Sequence, residues 1–384
     1  MKVVSYDNGA DLAALEDVWD RLCEPELRFV PSFAELQHHL RADGRKFRIL
    51  TAVDNSQVVA MACFLYGDSI KRFEIATRKL FDLPVKEVTL LGSCVAGQAN
   101  EDVIRKFFQV IIADGGFDVV SVGDILVDSP LYRAITSLHR GVVAWRIMRK
   151  QQIRWLIRLP GSFDEYISSL RATTKMRINR DGRRFEKMNP DFRVVSRPED
   201  VGDFLRDAEK ISRLTYQWHL GHGLRNDEHT RAWLTRLAEH GTLRCYVAHL
   251  QGKPCAFGCG ELAHRTFGFH RTGYDPQFRT LSPGTALILR MIRDLIENTN
   301  CEVFDFGGGG ETGYKSRLGT LGLSCSRMQT AAIYRPYSAV LVSLDQTMNL
   351  AKNAIMDLGG WIVGHGALKR RVKSALRPFG IGSY

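Results

Sequence analysis

The chain has 384 residues, 45% hydrophobic and 25% charged, a balance that fits a soluble globular protein and excludes a disordered or collagen-like one. That length accommodates two domains, each able to bury its own core. The net charge of +11 is uneven: residues 1–150 carry 19 basic and 20 acidic side chains, whereas residues 151–384 carry 34 and 22. A basic surface suits nucleotide phosphates, tRNA, anionic lipid or acidic glycans, and does not choose among them.

The eight cysteines (Cys23, Cys63, Cys94, Cys245, Cys255, Cys259, Cys301 and Cys325) sit mostly in apolar, strand-like runs. They read as reduced, buried thiols, which leads to the expectation of a cytoplasmic protein. The N-terminal Met1-Lys2-Val3-Val4-Ser5-Tyr6-Asp7 lacks the apolar core of a signal peptide, and no uncharged stretch is long enough to span a bilayer.

In chain order, residues 10–23 predict a helix with Leu12, Leu15, Val18, Trp19 and Leu22 on one side. Phe47–Val53 and Val58–Tyr66 predict strands joined by the turn Asp54-Asn55-Ser56. Val88–Leu91 is a short strand, Glu101–Ala113 a helix, Phe117–Val122 a strand, Pro130–Leu138 a short helix and Val142–Met148 a strand. Ile153–Leu159 is a further strand, after which Ser162 caps a short helix. Arg171–Lys187 then carries seven basic and two acidic residues. This run reads either as a solvated helix face or as an anion-binding helix over an active site.

Phe192–Val195 predicts a strand, Val201–His219 a helix with Phe204, Ala208, Ile211, Leu214 and Trp218 in phase, and Glu228–His240 another helix. Leu243–Leu250 and Cys255–Leu262 form a hairpin around Gln251-Gly252-Lys253-Pro254, and Thr266–Gly273 pairs next. Ser326–Tyr334 is the last strand. A helical tail follows, whose end carries Lys369, Arg370, Arg371, Lys373 and Arg377 without an acid, a composition suited to a membrane surface or nucleic acid.

The chemistry-bearing stretch is Arg279–Leu318. Ser282 is a good N-cap, Pro283 fits the first helical position, and Ile288, Met291, Ile292, Leu295 and Ile296 give the helix one buried face. Gly284 keeps the first turn open to close approach, as an anion site at a helix start requires. Phe304 and Phe306 flank Asp305 with strand alternation, so Asp305 points away from the phenyl face. Gly307–Gly310 then let the chain turn and bring Glu311, Tyr314 and Lys315 near the strand end.

Ser-Pro-Gly opening a helix, Asp-Phe-Gly-x-Gly, and then Tyr-Lys resemble the CelD/FemAB-like branch of the GNAT acyltransferase superfamily. The likeness is clearest from about Leu170 to Pro336 and includes Gly273-Tyr274-Asp275-Pro276. Gly284-Thr285-Ala286 matches the second half of the common GNAT phosphate loop, but Leu281 stands where that loop carries Gln or Arg. The resemblance implies an α/β (α+β) fold of two tandem GNAT-like domains, with mixed, mainly antiparallel sheets flanked by helices. Residues 1–150 would be a degenerate domain, 151–336 the acyltransferase domain and 337–384 a basic helical tail. It implies N-acyl transfer from a thioester, acyl-CoA as co-substrate and no metal, to an amine on an envelope or polysaccharide precursor.

Transfer of that kind assigns Asp305 or Glu311 as base, Tyr314 as acid to the thiolate, and Arg279, Ser282, Gly284, Thr285 and Lys315 to the donor. Three of them have a plainer reading: Asp305 as a cap on the glycine loop, Tyr314 as a packed aromatic and Lys315 as a surface residue. Aminoacyl-tRNA is the alternative donor, and a non-catalytic anion-binding module the alternative function. The tail adds a peripheral contact with the inner membrane. Asp305-Phe306-Gly307 lacks the rest of a kinase, and Cys255 and Cys259 lack a second pair at zinc spacing; His219 and His222 read as surface and His270 as packing, while Glu261, on the adjacent strand, is left open between the cleft and packing.

Overall fold

The computed structural model describes residues 1–7, 12–22, 32–33, 36–37, 46–75, 78–92, 96–97, 99–138, 144–148, 152–215, 218, 223–309, 311, 313–332, 335–348 and 350. The first half comprises β1 (Lys2–Tyr6), α1 (Leu12–Leu22), β2 (Phe47–Asp54), β3 (Gln57–Ile75), β4 (Arg78–Leu90), β5 (Ala96–Gly97), α2 (Glu101–Asp114), β6 (Val119–Leu126), α3 (Pro130–Ser137), β7 (Ala144–Met148) and β8 (Gln152–Arg158). The second comprises α4 (Phe163–Ser169), α5 (Ala172–Glu186), β9 (Asp191–Val195), α6 (Val201–Ser212), α7 (Glu228–Glu239), β10 (Leu243–Leu250), β11 (Lys253–Ala263), β12 (Thr266–Tyr274), α8 (Pro283–Asn298), β13 (Val303–Gly309), α9 (Tyr314–Leu318) and β14 (Leu321–Ala332). Residues 336–348 are largely helical.

The strands join in one continuous sheet, ordered β1-β2-β3-β4-β6-β14-β8-β13-β12-β11-β10-β9, with β5 against β3 and β7 against β14. The order is nearly palindromic. Each half has four antiparallel strands, a helix, and a fifth strand parallel to the fourth: β4 beside β6 through α2, and β12 beside β13 through α8. The two halves then exchange strands. β8, at the end of the first half, pairs with β13, while β14, from the second, pairs with β6. β8 and β14 also pair with each other, closing the seam. The mixed, mainly antiparallel architecture is as expected, but it forms a single sheet rather than two.

The helix between the parallel strands organises each core. In α2, Val103, Ile104, Phe107, Phe108 and Ile111 are buried against Phe64, Val88 and Val120. In α8, Leu287, Ile288, Met291, Ile292 and Leu295 face Phe267, Phe304 and Phe306. Each such side chain contributes about 1.5–3 kcal/mol by leaving water.

Several boundaries differ from the sequence reading. β3 runs on to Ile75 and β4 starts at Arg78, so a long two-stranded arm extends the expected hairpin. Charges at Lys71, Arg72 and Asp82 and a proline at 84 hide its period, while the stacked rings of Phe73 and Phe81 (centroids 4.9 Å apart) support it. The helix from Val201 ends at Ser212, and Leu214 beyond it is 51% exposed rather than in the buried face. The turn at Asn55 and Ser56 is as expected, both with positive φ, linking Asp54 to Gln57. The basic end of the tail, His219, His222, Cys23 and Cys94 lie outside the described residues. The other six cysteines are buried free thiols.

Candidate active site

β12 and β13 are paired only from Thr266 to Gly268 and from Val303 to Asp305. Past that point β12 continues to Tyr274 against β11 alone, and β13 continues to Gly309 against β8. Two parallel strands that part in this way leave a wedge, and the tip of α8 stands beside it. A cavity of about 520 Å³ occupies this place. Thr272, Gly273 and Tyr274 from β12 line it, together with Ser282, Gly284 and Thr285 from the helix start and Tyr314 and Arg317 from α9. Arg177 of α5, Arg279, and Leu214 and Thr215 after α6 complete much of the wall.

The start of α8 is built differently from an ordinary capped helix. Ser282 adopts a left-handed backbone (φ 52°, ψ 46°) and makes no side-chain cap. Its carbonyl accepts from Thr285 and Ala286, both at 3.1 Å, while its hydroxyl donates to Asp181 at 3.2 Å. Ser282 is thus the N-cap by position only, and its side chain serves to pin α8 to α5. Pro283 has no N–H to satisfy, and no acid occupies the first turn. The positive end of the helix dipole therefore meets the cavity with no acid of its own first turn on it, the nearest carboxylate being that of Asp181, which Ser282 holds. A Cβ at Gly284 would sit 3.3 Å from the Tyr274 ring, so glycine keeps this mouth open.

Asp305 lies elsewhere. It is 3% exposed and absent from the cavity lining. Arg154 of β8 donates to both its oxygens, from Nε at 2.8 and 3.1 Å and also from Nη2. The Gly307 N–H adds a bond of 2.7 Å. The strand register shifts between Asp305 and Gly308, with Gly307 at φ 70°, so the glycine run forms a bulge that the Asp305 carboxylate ties down. Arg154 also contacts Asp124 of β6 at 3.2 Å, and Asp124 accepts from Gln152 (2.8 Å) and Arg327 (3.2 Å). This polar chain crosses the seam between the halves.

Lys315 belongs to the same bulge. Its ammonium donates to the carbonyls of Phe306 (2.6 Å) and Gly308 (2.9 Å), and burial pushes its pKa below the ordinary lysine value. Glu311 is exposed and outside the lining. Tyr314 does line the cavity, its ring 6.0 Å from Phe306 at the end of a packed aromatic row of Phe267, Phe304 and Phe306. Of the residues singled out in the sequence, the structure brings Arg279, Ser282, Gly284, Thr285 and Tyr314 together, and sets Asp305, Lys315 and Glu311 apart from them.

Sequence reasoning did not single out Arg317, Thr215 or Thr272, and saw Arg177 only within the basic run. Leu281-to-Ala286 spacing carries no trace of α5 or α9, since neither is local to it. Among the described residues, no group of three or more His, Cys, Asp or Glu is placed to hold a metal, and no helix is long and apolar enough to cross a membrane.

Residues 172–316 match the family model described as an acetyltransferase (GNAT) domain. This segment holds α5 to β13 and most of α9, hence nearly the whole cavity wall. No curated protein sequence matches the chain. Among solved structures, FemX is similar with a TM-score of 0.62 at 10% identity, over 88% of this chain and 99% of FemX. A conserved protein of unknown function from Bacteroides thetaiotaomicron VPI-5482 gives 0.55 at 12% identity, over 86% of this chain and all of that one. At such identities the shared feature is the fold.

Proposed function

We propose that the chain is an N-acyltransferase of GNAT type, and that the wedge between β12 and β13 takes an acyl thioester. The observation that carries this reading is the start of α8, without a side-chain cap and without an acid in its own first turn, at the mouth of a 520 Å³ cavity. That volume suits a small-molecule donor arm. In this reading Gly284 and Thr285 receive a donor phosphate at the helix tip, with Arg279 beside them. The pantetheine-like arm runs toward Gly273 and Tyr274, where β12 has lost its parallel neighbour and its backbone is available to the carbonyl oxygen.

The acceptor amine attacks the thioester carbon, a C–N bond forms and the C–S bond breaks. Tyr314, one of two phenols lining the cavity with Tyr274, gives the thiolate its proton, a modest task because a thiol is already a stronger acid than a phenol. The ammonium's proton leaves through water, with exposed Glu311 as the carboxylate available to it. Asp305 and Lys315 receive no proton-transfer role. Both are committed to the bulge, and their work is to fix the segment leading to Tyr314.

The acceptor would be an amine on an envelope or polysaccharide precursor, a reading that rests on the motif resemblance. A second donor, aminoacyl-tRNA, is favoured by the excess of 34 basic over 22 acidic residues after residue 150. Thermal melting with coenzyme A and with bulk tRNA separates the two. Stabilisation by coenzyme A that is lost in Gly284→Trp supports the thioester donor. Stabilisation by tRNA alone, falling steeply with salt, selects the second. A melting temperature indifferent to both, with no acyl group or thioester co-purifying by mass spectrometry, overturns the enzyme reading.

A further inference from the structure

The cavity carries more positive charge than a single donor phosphate at the helix tip needs. Arg177, Arg279 and Arg317 line it, and no carboxylate does. Arg279 lies just before the tip of α8. The other two come from α5 and α9. A small niche of about 20 Å³ is lined by Arg177, Arg317, Thr174, Asp181, Thr285 and Tyr314. Arg177, Arg317, Thr285 and Tyr314 therefore face both the niche and the main cavity.

Charge at this place is balanced only in part: Asp181 pairs with Arg177, and Arg317 is left over. Asp181, 7% exposed, is the carboxylate at hand, and it is shared: Arg180 contacts it at 3.0 Å, Arg177 at 3.6 Å, and Ser282 donates to it. Among the described residues Arg317 makes no ion pair or side-chain hydrogen bond. Burial and the neighbouring Arg177 both disfavour its charged form. Arg177 and Arg317 line one niche with a single carboxylate that is already shared, so an anion entering it meets a guanidinium without an ion pair. Guanidinium forks fit phosphate in two-pronged fashion, and the hydroxyls of Thr174, Thr285 and Tyr314 offer further donors around a tetrahedral group.

We propose that Arg177 and Arg317 form a second phosphate-binding site on the wall of the same cavity, next to the tip of α8 and reached from α5 and α9. The proposal deepens the acyltransferase reading and rests on it for one choice only, which substrate brings the phosphate. Either the donor carries it as a further nucleotide phosphate, or the acceptor does, which would make the acceptor a phosphorylated or nucleotide-linked amine. Both are the same chemistry at these side chains.

Isothermal titration of the full chain with inorganic pyrophosphate tests it, in wild type, Arg177→Gln/Arg317→Gln and Gly284→Trp. The wild type should bind at two sites, and the double variant should weaken one of them at least about tenfold. Both arginines are more than half exposed or near the surface, so melting temperature should barely move and serves as the folding control. Titration with coenzyme A already saturating then identifies the source. Arginine-dependent pyrophosphate binding that survives assigns the site to the acceptor. Binding that is displaced by coenzyme A, but not by its 3′-dephospho form, assigns it to the donor. The proposal is overturned if the double variant binds pyrophosphate as the wild type does, or if the wild type shows no arginine-dependent site. Failure of the donor reading looks different: Gly284→Trp would then leave coenzyme A binding unchanged, whatever the two arginines do.

Discussion

The two halves of the sheet repeat one topology, and in the second a cavity opens at the place where its parallel strands part. In the first, β4 pairs with β6 from Glu87 to Leu90, and β4 ends at Leu90. The strand stops where its pairing stops, so no wedge of two diverging strands forms. In the second, β12 runs on from Gly268 to Tyr274 after leaving β13. The helices differ in the same sense. At the start of α2, Asn100 accepts from the Val103 N–H at 3.0 Å, and Glu101 and Asp102 occupy the first turn. At the start of α8 there is no side-chain cap and no acid within the first turn, and the Asp181 carboxylate is reached only through the Ser282 hydroxyl. A cap and two carboxylates satisfy the dipole of α2 internally and repel an incoming anion. The shared topology thus places a helix start beside a parallel strand pair in both halves, and the residues at one strand end and one helix start set how the two places differ.

The largest effect should come from closing the open tip. Gly284→Trp drives a side chain into Tyr274 and the cavity mouth, and is expected to weaken donor binding by at least about 100-fold, near 2.7 kcal/mol. The matching lesion in the first half, Asn100→Ala, should cost about 1 kcal/mol of stability and leave ligand binding alone. Titration calorimetry with coenzyme A, alongside urea melts, reads both. Equal ligand loss in the two variants would erase the functional contrast between the halves.

Next in size is the seam. Arg154 comes from the first half's exchanged strand, yet it neutralises Asp305 of the second. Arg154→Met leaves a carboxylate that is 3% exposed without its cation, a change expected to cost about 3–5 kcal/mol. Adding Asp305→Leu should recover much of that in urea melts, because the stranded charge is gone. Recovery of stability without recovery of donor-dependent activity would show that the bulge, and not the ion pair as such, sets Tyr314. If Arg154→Met melts like the wild type, the halves are not coupled through this pair.

Much of this contrast was legible in the sequence, and the illegible parts share one cause. Ser282-Pro283-Gly284 gave the helix start because turn, missing N–H and open approach are properties of neighbouring residues. The alternation Phe304-Asp305-Phe306 told which way the carboxylate faces, and the phenyl rings are indeed buried on the other side. What Asp305 meets there was not readable, since Arg154 lies far away in sequence and arrives on an exchanged strand. Ser282 shows the same limit at shorter range. Its type predicts a cap, but Asp181 on α5 captures its hydroxyl and its backbone turns left-handed. Arg317 sits in a five-residue helix, too short to show a period. Local pattern fixes elements, whereas the partners of a polar side chain come from the topology.

Tyr314→Phe sharpens the contrast within the cavity itself. Removing the hydroxyl should lower the single-turnover loss of the acyl group from bound acetyl-CoA by about tenfold to 100-fold, with donor affinity unchanged. The effect is at the low end for an acid because a thiolate leaves readily. A rate equal to wild type would return Tyr314 to the aromatic row that ends at Phe306, as packing only.

The smallest effect concerns pH and the bulge that holds Tyr314. Burial lowers the Lys315 pKa in the folded protein below the ordinary lysine value of the unfolded chain, with Asp305 opposing the shift. Between those two values the unfolded chain binds more protons than the folded one, so stability rises with pH across that window. Below it both states are charged and the folded state bears the whole desolvation cost. Wild type should therefore gain melting temperature relative to Lys315→Met as pH is raised from about 8 to about 10. A gain in the opposite direction would mean that the carbonyls of Phe306 and Gly308 stabilise the ammonium more than burial penalises it. Lys315 would then act as a charged clamp on the bulge, a feature for which the first half has no counterpart between β4 and β6 among the described residues.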